Sequence, residues 1–120
     1  MKGNSSGFTL IELLIVIAIL GVLMLIGIPN LIGARDKADD AAAKAYLREV
    51  TQGVEMKRYG SSFTLPPAQA CTALTDKPTS PNSVTNCVYQ PLRRDAYTVT
   101  VTSKTGSTFV YDGYEIDQRD

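Results

Sequence analysis

Histidine is missing from this chain altogether, which removes the side chain most often used as a general base or metal ligand near neutral pH. An excess of either charge is missing as well. Twelve basic side chains balance twelve acidic ones, so no broad basic field recommends nucleic acid as a primary partner. Cysteine is scarce: Cys71 and Cys87 are the only two, and without histidine such a pair does not make a zinc pattern. From Phe8 to Ile28 charge itself is lacking, except at Glu12. Beyond that run, Gly27-Ile28-Pro29-Asn30-Leu31 offers no Ala-x-Ala-like site, which argues against ordinary secretory cleavage. The 120 residues are material for one modest domain, and a core that small tends to need a staple.

What is present begins with Met1 to Gly7, a short polar head carrying Lys2. The apolar run after it would form a helix roughly 31 Å long, which matches the hydrocarbon core of a bilayer. A single acid in such a segment is costly and needs a dedicated partner, a cation or a proton. Lys2 lies on one side of the run, Arg35 and Lys37 on the other, so charge counting leaves orientation close to a tie. Gly21, Gly27 and Pro29 weaken the helix. Each glycine costs about 1 kcal/mol against alanine, and proline removes a backbone hydrogen bond. Membrane helices tolerate both residues; on a sharper reading the stretch from Gly21 to Pro29 is a weak one that can loosen or bend.

Helical spacing continues from Asn30 to about Tyr59. Leu31, Ala34, Ala38, Ala41, Ala42, Ala45, Val50 and Val54 mark an apolar face. Asp40 and Lys44 are set for an ion pair one turn apart, and Gly60-Ser61-Ser62 offers a stop. The spacing thus predicts a helix of about fifty residues, roughly 75 Å long. Its first half is apolar all round and its second half amphipathic, so it needs either a membrane or many copies of itself. From Phe63 to Pro91, proline, serine, threonine and asparagine predict an ordered loop bracketed by the two cysteines. A Cys71–Cys87 disulfide would close a loop of about fifteen residues, worth roughly 3 kcal/mol in the chain-entropy model, and it requires an oxidising compartment.

The period then changes. Tyr97-Thr98-Val99-Thr100-Val101-Thr102 alternates as a strand with Tyr97, Val99 and Val101 on one face. Ser103 to Gly106 is a turn, Thr108 to Tyr111 a returning strand, and Tyr114-Glu115-Ile116 a third short one. A hairpin alone is marginal in water, so the helix is its support. The expected fold is α+β, with a small antiparallel sheet packed on the amphipathic half of a long N-terminal helix.

The block from Lys2 to Pro29 resembles the N-terminus of type IV pilins, in their type IVa branch. Gly7, Phe8-Thr9-Leu10-Ile11-Glu12, the apolar run and Ile28-Pro29-Asn30-Leu31 carry the likeness. It continues more loosely through Ala34-Arg35 and the alanine-rich helix to Tyr59 and Phe63-Thr64. The resemblance implies a leader over residues 1–7, an apolar assembly helix over 8–29, its amphipathic continuation over 30–59 and a head over 60–120. It implies a prepilin peptidase that cuts between Gly7 and Phe8 and methylates the new amine of Phe8, with the leader cytoplasmic and the head outside. Glu12 would pair with the Phe8 amine of a neighbouring subunit, and Gly21 and Pro29 would bound the segment that loosens in the filament. The implied partners are other copies of the chain, the inner membrane before assembly, the peptidase and, indirectly, an assembly platform and motor ATPases. Elementary chemistry agrees, because cleavage creates a cation at Phe8 about one helical turn from Glu12. Fixing register is the best-attested use of such a buried pair.

Three functions from different classes follow. The first is a structural subunit of a type IV pilus serving motility, adhesion or DNA uptake. The second is a pseudopilin of a type II secretion system, or a minor pilin. Against it, Asp112, Glu115, Asp117 and Asp120 lack the ligand spacing of a known calcium loop and read as a solvated tail. The third is a membrane-anchored enzyme. No nucleophile–base pair is recognisable, and Asp39-Asp40 beside Arg35 and Lys44 reads as a surface charge network. The chain is therefore expected to be no enzyme and to take no cofactor or metal. Arg93-Arg94 is the concentrated basic feature outside the helix, with Lys77 and Lys104 as outliers. It reads as ordinary surface charge, or as phosphate contacts to DNA that repetition along a fibre would amplify.

Overall fold

A computed structural model describes Gly3, Ser6–Gly60 and Ser62–Asp120. Met1, Lys2, Asn4 and Ser5 of the expected leader, and Ser61 of the expected helix stop, lie outside the described residues. In chain order the elements are α1 (Leu10–Gly60), α2 (Cys71–Thr75), β1 (Val84–Pro91), β2 (Tyr97–Ser103), β3 (Thr108–Tyr111) and β4 (Ile116–Arg119). The chain divides into two units, Met1–Arg35 and Asp36–Asp120.

In the first unit α1 is bare. Its large apolar side chains from Leu10 to Ile32 are all exposed, because the run is apolar around its whole circumference and no seam distinguishes one side. A window of 18 residues reaches a mean hydropathy of 3.0, long and apolar enough to cross a membrane. The helix passes unbroken through Pro29. Pro29 has no N–H for the Leu25 carbonyl four residues back, and in the same turn Asn30 Nδ2 donates to the next carbonyl, that of Ile26, at 3.2 Å.

In the second unit the C-terminal part of α1 buries Ala43, Tyr46, Leu47, Val50, Gly53 and Val54, spaced three and four apart as one helical face requires. This corrects the expected face. Val50 and Val54 belong to it, but Leu31, Ala34, Ala38, Ala41 and Ala45 are exposed, and Ala42 is half-buried. At about 3.6 residues per turn, those exposed residues fall on roughly the opposite side of the helix. Alanine fits either environment, so the larger gain from burying Tyr46 and Leu47 selects the side. Asp40 and Lys44 make no close ion pair, although, behind the Thr105 hydroxyl, the Lys44 charge still helps to lower the Asp40 carboxyl. Asp40 Oδ1 accepts from the Thr105 hydroxyl, and Lys44 Nζ stands 5.0 Å above the Phe109 ring centre. The helix closes where the Phe63 N–H reaches the Arg58 carbonyl at 3.0 Å, with Ser62 and Phe63 at φ 56° and 63°. Lys57 and Arg58 face the negative end of its dipole.

The sheet is an antiparallel meander in the order β1-β2-β3-β4. In β2, Tyr97, Val99, Val101 and Ser103 are buried in strict alternation. Tyr89 of β1 lies opposite Val99, and Phe109 of β3 opposite Val101. These side chains and the α1 seam form one core with Cys71 and Leu74. Two expectations change here. The predicted loop holds α2 and the eight-residue β1, and the last strand begins at Ile116 rather than ending there.

The segment before β1 is tied down at several points. Cys71 is disulfide-bonded to Cys87, with Cα atoms 6.1 Å apart, so α2 is stapled to β1. The Tyr89 hydroxyl donates to the Pro66 carbonyl at 2.9 Å. Gly53 lets α2 approach α1, since a Cβ there would lie 2.1 Å from the Leu74 carbonyl oxygen. One turn to either side, Lys57 Nζ donates to the Ala73 carbonyl, and Glu49 pairs with Lys77 at 2.5 Å. Residues 49, 53 and 57 recur every four positions, on one side of the helix.

Candidate functional site

Gly7 and Phe8 precede α1, and Phe8 is 89 % exposed. The first turn then carries a reciprocal pair. Thr9 N–H donates to Glu12 Oε2 at 3.1 Å, and Glu12 N–H donates to Thr9 Oγ1 at 3.2 Å. Thr9 is thus the N-cap and Glu12 the third helical residue of a capping box, which satisfies two of the donors that a helix start leaves free. A threonine followed three residues later by a glutamate ahead of an apolar run is the sequence signature of that box, and Thr9 is the functional residue missed by asking only which cation Glu12 needs. The cap fixes one carboxylate oxygen. Oε1 makes no hydrogen bond among the described residues, so it remains available to a cation from outside the chain.

Gly21 and Gly27 stand in open space, with nothing within 4 Å of a Cβ built on either. Packing within the chain therefore gives no reason for a missing side chain at these positions. Together with Pro29 they place three weak helix positions within the exposed apolar run.

The second unit carries the other named residues. Asp39 and Asp40, read as a surface charge network, instead accept hydroxyl donors from the sheet end of the head. Ser83 Oγ donates to Asp39 at 2.9 Å, and the Thr105 hydroxyl holds the Asp40 carboxyl below its usual range. Arg93 and Arg94 sit in the β1–β2 turn, exposed and without an ion pair among the described residues. Asp95, their neighbour, is held by Arg58 at 2.6 Å. Arg93 and Arg94 also line a groove of about 580 Å³ with Phe63, Pro66 and Pro91. Lys77 is taken by Glu49, so it does not join the arginines.

The acidic C-terminal residues are solvated, and some of them are also held in place. Asp112 Oδ1 accepts from the N–H groups of Tyr114 at 3.0 Å and Glu115 at 3.1 Å, and these bonds push its carboxyl below the usual range. Gly113 at φ 103° completes the turn. Asp117 lies in β4, 3.6 Å from Arg119. On the flank of α1 away from α2, an open apolar groove of about 640 Å³ is lined by Glu55, Met56 and Tyr59 of the helix and by Tyr97 and Tyr111 of the sheet. The Tyr97 hydroxyl donates to Glu55 Oε1 at 3.1 Å. Burial, then that bond to a carboxylate, push the Tyr97 phenol well above its ordinary range.

The N-terminal part, residues 2–28, matches the model of the prokaryotic N-terminal methylation motif, and residues 39–119 match that of Pilin A4. Over 53 residues the chain is 53 % identical to the type IV wide pilus major component PilA4 of Thermus thermophilus, which is 44 % of this chain and 40 % of that one. It is 37 % identical over 81 residues to the type II secretion system core protein G of Dickeya chrysanthemi, covering 68 % of this chain and 53 % of the relative. The chain spans about half the length of the curated relatives it matches. A solved type IV pilin protein from Thermus thermophilus superposes with a TM-score of 0.58 at 28 % identity, over 68 % of this chain and 99 % of that one.

Proposed function

Because the chain belongs to the Pilin A4 family of type IV pilins, we propose that it is a structural subunit of a type IV pilus. In this reading prepilin peptidase cuts between Gly7 and Phe8 and methylates the Phe8 amine. Residues 8–29 hold the subunit in the inner membrane with its N-terminus cytoplasmic. The N-terminal helix then polymerises into a surface filament that serves motility, adhesion or DNA uptake, driven by separate motor ATPases through an assembly platform. The chain itself performs no catalysis and takes no cofactor.

The observation that carries the reading is the lone carboxylate of Glu12 in an apolar helix whose large side chains are exposed among the described residues. Apolar side chains left bare in this number are stable only in lipid or against other helices. A neighbour's Phe8 ammonium would meet Glu12 Oε1, neutralise it as the helices leave lipid and set the stagger of one subunit on the next. Gly21 and Pro29 would let the intervening segment loosen as the helices pack.

A second reading, a pseudopilin of a type II secretion system or a minor pilin, draws support from the core protein G relatives, whose alignments extend over two thirds of this chain. The match of residues 39–119 to Pilin A4 supports the first reading.

Intact-mass and N-terminal analysis of mechanically sheared surface filaments tests the proposal. An abundant species starting at methylated Phe8, lighter by the two hydrogens of one disulfide, is expected. Processed chain found only in the membrane fraction would favour the second reading, and Met1 still attached would sink both.

A further inference from the structure

One residue ties the end of α1 to the β1–β2 turn. The Arg58 carbonyl accepts the Phe63 N–H at 3.0 Å where the chain leaves the helix. Its guanidinium holds Asp95 of the turn at 2.6 Å. The turn is closed by the Leu92 and Arg93 N–H groups, which donate to the Ala96 carbonyl at 2.8 and 3.1 Å. Phe63, Pro66, Pro67 and Pro91 line the groove of about 580 Å³ together with Arg93 and Arg94. Its walls are set in advance, since the Tyr89 hydroxyl holds the Pro66 carbonyl and proline rings fix their own backbone.

The charge inside this groove is one-sided. Asp95 is the one acid among its lining residues, and Arg58 takes it. Arg93 and Arg94 have no ion pair among the described residues. They present forked donors of the kind that suit a phosphate or a carboxylate. Opposite in character is the apolar lining, where Phe63 is 63 % exposed. Tyr59 stands beside it, with ring centres 5.2 Å apart, so aromatic surface continues along the last turn of α1.

The lining decides which anion fits. An acidic peptide would bring backbone carbonyls to walls where Pro66, Pro67 and Pro91 have no N–H to offer. An acidic sugar would bring hydroxyl groups to the same walls, equally unpaired. A duplex would give its phosphates to the arginines but keep its bases stacked inside, leaving the apolar wall bare. An unpaired strand supplies both phosphates and a flat base face that asks no hydrogen bond of the wall.

We propose that this groove binds single-stranded nucleic acid, with phosphates on Arg93 and Arg94 and a base stacked on Phe63. A cationic groove beside an aromatic surface is how strands are held without regard to sequence. The site lies wholly within the head, so the inference goes beyond the pilus reading and does not depend on it. One such site is weak, and repetition along a fibre would strengthen it.

The test titrates the full-length chain, in non-ionic detergent, with a labelled oligothymidine of about 20 nucleotides. It should bind roughly tenfold more tightly than a duplex of equal length. Arg93→Ser with Arg94→Ser should weaken binding about tenfold and make its logarithmic salt dependence shallower by about 1.4. Phe63→Ala should remove the preference for the strand and leave the salt dependence as it was. The chain has no tryptophan, so Phe63→Trp supplies a single reporter whose emission should be quenched as the strand binds. Equal binding of strand and duplex, or no binding at low salt, overturns the proposal. A bound strand that leaves the tryptophan unquenched does so too, and that readout keeps both arginines should their double variant fail to fold. Polyglutamate that displaces the strand at equal charge would overturn it in favour of an acidic peptide. A bound strand with no filaments on the cell would bring down the pilus reading and leave the groove standing.

Discussion

Between Phe8 and Ile32 the large apolar side chains are 49 to 89 % exposed, whereas Leu47, Val50, Val99, Val101 and Phe109 are wholly buried. Both sets draw on the same aliphatic residues, so hydrophobicity alone does not separate them. What separates them is periodicity. In the second unit apolar residues recur every three or four positions in α1 and every two in β2, which defines one side to cover. In the first unit every side is apolar, and there is no polar face to turn to water. The apolar surface of the first unit is thus left exposed, and the second unit buries its own in a core. On the proposed pilus reading, head stability and helix assembly should be alterable independently.

The sharpest test of that separation is Glu12→Ala. With this variant as the sole subunit, filaments should be abolished or severely reduced while the head of the detergent-solubilised chain melts as before. Normal filaments would show that the carboxylate does not set the stagger, and a lower melting temperature would show that the units are coupled. Gly53→Ala is the converse. Its Cβ would fall 2.1 Å from a backbone oxygen, and α2 must move to admit it. A loss of about 1–3 kcal/mol of head stability is expected, read by denaturant unfolding, against only about 1 kcal/mol returned by alanine's better helix propensity. An unchanged midpoint would mean that α2 is not seated on α1 as described.

The smallest effect is a pH dependence confined to the head. Tyr97, Tyr46 and Tyr89 all have phenols raised above the ordinary value of 10.0, in each case chiefly by burial. The unfolded chain loses these protons near pH 10 while the folded head retains them. Their contribution is thus complete below about pH 10 and lost as the pH climbs towards the raised folded values. Tyr97→Phe should flatten that alkaline decline and cost about 1 kcal/mol at neutral pH through the missing bond to Glu55. The first unit has no tyrosine, so the helicity of the apolar run should not follow this titration. Equal alkaline loss in both units would merge them.

Legibility in the sequence tracks the same contrast. The apolar run and β2 announce themselves by length and by strict alternation, and β3 follows as the β-rich return from the Ser103–Gly106 turn. β1 does not. Its Val84, Asn86, Cys87 and Pro91 show no period of two, since an edge strand tied to α2 by a disulfide answers to tether and turn as much as to burial. The buried seam of α1 lies about half a turn from the alanine-rich face, because alanines outnumber the residues that decide it. β4 starts only at Ile116 because the Asp112 turn takes Tyr114 and Glu115 out of the strand. At the N-terminus the glutamate is conspicuous, but its cap is legible only when Thr9 and Glu12 are read together.

The order of the sheet bears on time as well as form. Each strand pairs with the strand next to it in sequence, and short turns join β2 to both its neighbours. Closing such short loops costs little entropy and takes little time, so a meander of this kind assembles without waiting for a distant part of the chain. Strand pairing inside one molecule is therefore fast relative to encounters between molecules. Open edges spend little time looking for foreign strands, and what a subunit brings to its first collision is a finished head.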